Sequence, residues 1–534
     1  MYDKDLFLEK VKENNIYLGI ELGSTRIKAI AIDNRAKIIS NGIYEWKSKF
    51  ENGYWTYDFD LLTKGLQSSF KNLKENIFKD YGYKISNFKA IGISAMMHGL
   101  LAFDKNMNLL TPFRTWRNTN TDKASLFLSE LYEYNIPHRW SFAHFYEAIL
   151  NKENFVKDVD YICTLSSYIH YLLTGKKVVG IGDASGIFPV DDSLNYNKDF
   201  LKKTNDLDEI KNLGIKLQDI LPKVLVAGEC AGKLTEKGAK LLDIDGDLKA
   251  SINFCPPEGD AGTGMIATNT IRENTGNISI GTSIFSMIVL DHQLEKYYKE
   301  IDLVTTPDGK PVAMVHCNNG TADFDAWLNI FKEFALDLKI DFSEKGGIYS
   351  YLFNKALEAV DDECGFTIFN YLSGEPINKV LDGLTMIIRD KSNTPSLSKF
   401  ILANLYSIMA SIRIGQDILT EKENIQIKQM YAHGGVFKTK KVMQKIVASA
   451  LNTNVSIYKS ASEGGCWGMA CLAMYMDKKD DYKSLDDFLE KFLFANQSKY
   501  TELADDKIIK SFDKFLNDYK KYLPIQRFAD ENIR

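Results

Sequence analysis

The sequence predicts an α/β protein built of two related lobes, and three observations carry that prediction. A chain of 534 residues exceeds what one ordinary core organises. Apolar runs of strand length alternate with segments of helical spacing. One strand-turn-strand unit occurs twice. Hydrophobic residues make up 45% of the chain and charged residues 26%, a balance that predicts folding throughout rather than a disordered or fibrous chain.

The first element expected is a strand over 16–22 (IYLGIEL), too short for a buried helix, then the turn Gly23-Ser24-Thr25 and a second strand over 27–32 (IKAIAI). Together they read as a hairpin tipped with small residues. A third strand is expected near 37–44, a helix over 58–80 and a further strand over 88–95 (FKAIGISA). Around Gly276 the chain repeats its opening: TGNISIGTSIFSMIVLD holds an apolar run, the turn Gly281-Thr282-Ser283 and a second apolar run. Asp33 follows Gly23 at the same offset at which Asp291 follows Gly281. One copy opening each half predicts two lobes facing across a cleft, the usual place for a small ligand. The lobes are expected over 16–270 and 276–476, with a charged helical extension over 477–534 packed outside the second.

Lys and Arg number 66 and Asp and Glu 71, a formal net charge of −5 that gives no general attraction to phosphodiester backbones or anionic lipid. Neither nucleic acid nor membrane is an expected partner. The N-terminal segment is mixed in charge, without the apolar core of a secretory signal, and no uninterrupted apolar run reaches bilayer length, so the cytoplasm is the expected location. The seven cysteines are scattered with no CxxC pair, which predicts reduced structural thiols rather than a zinc or redox centre.

The candidate chemistry lies in turns and strand ends. Gly23-Ser24-Thr25 offers backbone N–H groups and two hydroxyls to phosphate oxygens, with Lys28 on the next strand as a counter-charge, and Gly281-Thr282-Ser283 offers the same groups from the second lobe. Small residues in a hairpin also serve sterics alone. There is no GxxxxGK[ST] and no strand-turn-helix GxGxxG, so the P-loop and dinucleotide-binding readings lack their defining residues. Asp260, in PPEGDAGTG, stands where a helix opens and reads either as a helix cap or as a base reaching a hydroxyl. His98, in SAMMHG, is placed at a strand end, and Trp116-Arg117-Asn118-Thr119-Asn120 gathers an aromatic ring with polar donors, a composition that suits a sugar site or a polar surface loop. MYAHGGV, over 430–436, runs into the double glycine Gly434-Gly435, followed by Lys438. A further small-residue patch, Ser462-Glu463-Gly464-Gly465, is expected to open another helix.

The order of these pieces resembles the FGGY family of carbohydrate kinases, and within it the xylulokinase-like branch. The pieces are GIELGST over 19–25, MHG over 97–99, GDAGTG over 259–264, IGTS over 280–283, YLSGE over 371–375 and HGGVFKTK over 433–440. They span roughly residues 16 to 476.

The resemblance implies two actin-like ATPase domains of the ribonuclease H-like type, each a mixed sheet flanked by helices, with ATP mainly on the C-terminal lobe and sugar mainly on the N-terminal one. It implies an ATP- and Mg2+-dependent transfer of phosphate to a small ketose, D-xylulose first. Asp260 matches the catalytic aspartate, and Met97 with His98 the sugar-contacting pair. The turns Gly23 to Thr25 and Gly281 to Ser283 match the phosphate loops, and Gly434 and Gly435 the glycines beside adenosine.

Three departures from the family pattern stand out. Glu21 replaces the family's aspartate, the expected metal contact. The tryptophan segment reads Trp116-Arg117-Asn118, and SFAHFYEA over 141–148 carries no lysine. These bear on the substrate more than on the reaction, and leave a ribulose-like ketose or a polyol open. A catalytically silent sugar-binding relative and an actin-like chaperone or filament ATPase are the competing readings. A homodimer is the prior for assembly.

Overall fold

A computed structural model describes residues 2–361, 364–438, 441–458 and 464–532, with no account of the Lys438 side chain. The chain divides into two compact units, one of Met1–Ile271, Leu303–Pro311 and Glu463–Gln497, the other of Arg272–Asp302, Val312–Ser462 and Ser498–Arg534.

In the first unit, β1 (Ile16–Leu22) pairs antiparallel with β2 (Arg26–Asp33), and β2 with β3 (Ile38–Glu45). On its other side β1 runs parallel to β4 (Ala90–Ala95), which is joined on its far edge by β5 (Gly232–Lys233), β6 (Asn253–Phe254) and β7 (Glu258–Gly259). The expected hairpin is present with its tip at Gly23 to Thr25. Helices cover both faces of the sheet. Gly19 lies in register with Ile30 and Asn41, and Gly42 with Ala29 and Ile20, so the two glycines face opposite sides. Helix α1 (Phe59–Tyr81), capped by the Asp58 carboxylate and ended by left-handed Gly82, lies on Gly42, where a side chain would strike the Leu73 and Ser69 backbone.

The second unit repeats this order. Its β8 (Thr275–Ile280) and β9 (Ile284–Val289) form an antiparallel hairpin; β9 pairs antiparallel with β10 (Pro311–Cys317), and β8 runs parallel to β11 (Gln429–His433). Strands β12 (Val455–Tyr458) and β13 (Lys499–Glu502) extend the sheet beyond β11. The sequence β10-β9-β8-β11 matches β3-β2-β1-β4, the same three antiparallel strands and one parallel neighbour, as the repeated strand-turn-strand unit predicts. A segment over Leu397–Lys422 that includes helix α4 (Leu397–Asp417) is long and apolar enough to cross a membrane; 67% of its apolar window is buried, as befits the core helix of this unit.

The chain divides differently from the linear scheme read from the sequence. Helix α5 (Gly464–Lys478) belongs to the first unit, although it follows the second unit in sequence. It packs on β1 and β4 because Gly19 and Gly92 carry no side chains: a Cβ on Gly19 would lie 2.7 Å from the Ala470 nitrogen, and one on Gly92 2.6 Å from Met469 Cε. The charged stretch after it, through Gln497, follows α5 into the first unit, tied by the ion pair of Asp486 with Lys310 at 2.5 Å. Of the stretch after α5 only 498–534, with the long helix α6 (Asp506–Asn532), joins the second unit.

Candidate active site

Strands β1, β4 and β7 are mutually parallel, so their C-terminal ends come together, with Glu21 opposite Ser94 and Gly259 opposite Ala95. The carboxyl ends of parallel strands are where α/β sheets present their ligand sites. Helix α3 (Asp260–Ala267) begins immediately after β7, with Gly259 as its N-cap and no side chain capping it. Asp260 therefore occupies the first helical position. Its carboxylate turns instead to β4, where Oδ1 accepts the Met97 amide at 3.1 Å. The residue is exposed. Protein packed around the carboxyl still pushes it above the ordinary aspartate range, against the lowering effect of the backbone amides bonded to it.

His98, next along the chain, has φ of 68°, left-handed backbone that costs a non-glycine residue energy, and Gly99 continues it at 82°. The imidazole is buried and stacks parallel to Trp140 with centroids 6.5 Å apart. Met97 is also buried.

Glu21 is the second carboxylate of this end. Burial first, and the charge of Asp260 second, push it up to about 7, while a backbone hydrogen bond from Cys466 and the Lys28 charge pull it down. Lys28, expected as a phosphate counter-charge, is the cross-strand partner of Glu21 in the β1–β2 ladder. Gly465 of α5 comes so close that a Cβ there would stand 2.7 Å from both Glu21 Oε1 and Thr263 Oγ1. Among the described residues no cluster of three or more His, Cys, Asp or Glu side chains forms an all-protein metal cage. A carboxylate at Glu21 that feels the charge of Asp260 fits a hard cation such as Mg2+, which is usually held by one or two carboxylates together with substrate phosphates.

The turn at the tip of the first hairpin is closed by the Gly23 amide on the Arg26 carbonyl at 2.9 Å. Trp46 Nε1 donates to the Gly23 carbonyl and the Tyr57 hydroxyl to that of Ser24, both at 2.7 Å, which fixes the carbonyl side of the turn and leaves Ser24 and Thr25 exposed.

The tryptophan segment splits in role. Trp116 is exposed, and the Arg117 guanidinium lies 3.6 Å from the Trp55 ring centroid with Nη1 donating to Ser48 Oγ at 2.9 Å. Asn118, expected among the sugar contacts, is buried and spends its amide on the Trp55 backbone, accepting from its N–H at 2.7 Å and donating to its carbonyl at 2.8 Å. It docks the 49–56 hairpin.

In the second unit, Gly281, Thr282 and Ser283 form the tip between β8 and β9. The Gly281 amide bonds the Ser283 carbonyl at 3.0 Å, and the carbonyls of Thr282 and Gly281 receive the Gly320 and Thr321 amides at 2.8 and 2.9 Å. Gly434 ends β11 beside this tip with φ of 122°, its Cα against the Ile280 backbone. Gly435 is exposed and starts a single 3-10 turn over Gly435–Lys438. Thr439, Lys440, Ser462 and Glu463 lie outside the described residues.

Sequence reasoning missed several groups. Asp183 and Glu258 are fully buried carboxyls beneath Asp260, pushed up to about 7 and 8 by burial. In the second unit Glu375, pushed up to about 7 by burial, accepts from Asn319 Nδ2 at 3.1 Å and from the Asn318 and Asn319 amides. Glu258 lies in PPEGDAGTG and Glu375 closes YLSGE, but neither motif shows that its acid is buried.

Residues 16–247 match the family model described as the N-terminal domain of the FGGY family of carbohydrate kinases, and residues 276–476 match the C-terminal domain of that family. A curated xylulose kinase of Haemophilus influenzae is 24% identical over 549 residues, covering 95% of this chain and 99% of that protein. Among solved structures, a ligand-bound xylulose kinase of Lactobacillus acidophilus superposes with a TM-score of 0.78 at 16% identity, covering 97% of this chain and 100% of that one. A gluconate kinase of the same organism gives 0.77 at 16% identity, covering 97% and 99%. At these identities the structural likeness establishes the fold.

Proposed function

The chain belongs to the FGGY family of carbohydrate kinases, sugar phosphotransferases of actin-like fold, and on that footing we propose that it transfers the γ-phosphate of ATP to a hydroxyl of a small ketose, D-xylulose first, with Asp260 as general base. One observation carries the reading: the Met97 amide holds the carboxylate of Asp260 beside the Met97-His98 pair.

Phosphoryl transfer asks for an acceptor oxygen in line with the γ-phosphorus, charge neutralised on the equatorial oxygens, and water excluded. In this reading Met97, His98, Trp116 and Arg117 orient the sugar, and Asn118 supports them through Trp55. One oxygen of Asp260 is fixed by the Met97 amide, so the other is the acceptor for the proton that leaves the sugar hydroxyl as attack begins. The raised basicity of Asp260 suits that task. The turns Gly23 to Thr25 and Gly281 to Ser283 take the phosphates through hydroxyls and backbone, Gly434 and Gly435 let the adenosine approach closely, and Lys438 adds positive charge. Glu21 would hold Mg2+, which when bound neutralises charge on the phosphate oxygens. A cytoplasmic enzyme fits this reading.

D-xylulose leads because xylulose kinases are among the curated relatives that match over most of the chain; a curated gluconokinase that also does so makes the acceptor the finer question. ADP release measured with a panel of ketoses, polyols and aldonates decides it. D-xylulose is expected to give the highest kcat/KM, and a higher value with another acceptor reassigns the substrate.

A further inference from the structure

Two residues before Asp260, Glu258 is 1% exposed. Its oxygens accept the amides of Gly182 at 3.3 Å and Asp183 at 3.0 Å, and the neighbouring Pro257 carbonyl accepts the Gly180 amide at 2.7 Å. The carboxyl fills space that side chains would otherwise take. A Cβ on Gly182 would stand 2.5 Å from Oε2, one on Gly262 3.3 Å from the same oxygen, and one on Gly180 would overlap Oε1. These glycines are the cradle of one acid.

The segment it grips backs the active site at two points. Asp183 is fully buried; its Oδ2 accepts from Thr164 Oγ1 at 2.6 Å and from Ser166 Oγ, while Oδ1 has no hydrogen-bond partner among the described residues. A Cβ on Gly259, the residue before Asp260, would lie 3.2 Å from that oxygen. Three residues on, a Cβ on Gly186 would lie 2.5 Å from His98 Nδ1 and 2.8 Å from Met97 Cε. One short stretch thus packs under Gly259-Asp260 and against Met97-His98 together.

We propose that Glu258 is a positioning residue of the phosphotransfer site: its carboxyl, seated among Gly180, Gly182 and Gly262, holds the 180–186 segment as the common backing of Asp260 and of the Met97-His98 pair. The proposal rests on the kinase reading. The burial of two acids side by side, Glu258 raised further by Asp183 and Asp183 by Asp260, is a cost that a purely apolar filling of the same space would avoid. Holding a reacting group to within a fraction of an ångström is what such supporting contacts supply, and a displacement of about 1 Å can cost ~10²-fold in rate.

The test uses the full chain, with kcat reported per folded molecule. Gly182→Ala drives a methyl into the carboxyl, and Glu258→Gln keeps the size but sets an NH2 against a backbone amide. Each is expected to lower kcat at least tenfold and, because the segment also backs Met97-His98, to raise the sugar KM. In the double variant Gly182→Ala/Glu258→Asp, the shorter acid makes room for the methyl and is expected to recover part of kcat. A kcat within threefold of wild type in both single variants overturns the proposal. So does recovery of both only as misfolded chain, which assigns the pair to folding alone. Wild-type protein is assayed first: no turnover with any acceptor removes the kinase reading itself, whereas an active wild type with unchanged variants removes only the role of Glu258.

Discussion

The Met97 amide donates to Asp260 Oδ1 at 3.1 Å across 163 residues of sequence. That bond ties the end of β4 to the start of α3, so the candidate base and the candidate sugar contacts move as one piece. The donor is backbone, so a changed side chain at Met97 leaves the link in place, whereas truncation of Asp260 removes it.

His98 holds left-handed backbone at φ 68°. Glycine adopts this conformation freely, so His98→Gly is expected to hold or raise Tm, offsetting lost packing on Trp140 by the ~1–2 kcal/mol of relieved strain, while sugar KM rises. His98→Val, β-branched at the same φ, is expected to lower Tm and raise KM. Calorimetry with steady-state kinetics reads both. A His98→Gly protein with normal KM would take the imidazole out of sugar binding.

Glu21 is half-buried and close enough to feel the charge of Asp260. If it helps to hold the cation, Glu21→Gln should raise the Mg2+ concentration for half-maximal rate at fixed ATP, and Glu21→Asp should move it less. Titrating activity with Mg2+ checks this. Superimposable titrations for the three proteins would leave Glu21 with no part in metal binding.

Glu258 is raised from its ordinary 4.5 to about 8, by burial first and then by the Asp183 carboxylate. The folded state therefore keeps a proton that the unfolded chain loses. Its contribution to stability is complete below about pH 4.5 and is lost as the pH climbs through about 8, with a slope of up to about 1.4 kcal/mol per pH unit for one proton. Denaturant unfolding at pH 5, 6, 7 and 8 should show stability falling across this window, and falling less in Glu258→Gln. Equal slopes in the two proteins would mean that Glu258 does not titrate there.

The fold was legible in sequence where local pattern sufficed. Two apolar runs around Gly-Ser-Thr and Gly-Thr-Ser tips gave both hairpins, because short runs bounded by turn residues have few alternatives to paired strands. The matching acids after them proved unequal: Asp33 is buried and accepts from the Tyr2 hydroxyl and the Arg35 and Lys37 amides, capping the turn to β3, whereas Asp291 pairs with His292 on the surface. Helix α5 could not be assigned from its position after the second unit, since its partners Gly19 and Gly92 lie hundreds of residues earlier and only the absence of side chains there records the contact. The same holds for Glu258, whose glycine cradle is distant in sequence. Asn118 reads as a free polar donor until the 49–56 hairpin is seen to occupy it.

The most direct measurement is the turnover of Asp260→Asn with saturating ATP, Mg2+ and the best acceptor. Asparagine keeps the shape and can still accept the Met97 amide, so Tm and sugar KM should remain near wild type while kcat falls by about 10²–10⁴. An Asp260→Asn enzyme that turns over within a few-fold of wild type would contradict the assignment of this carboxylate as the base.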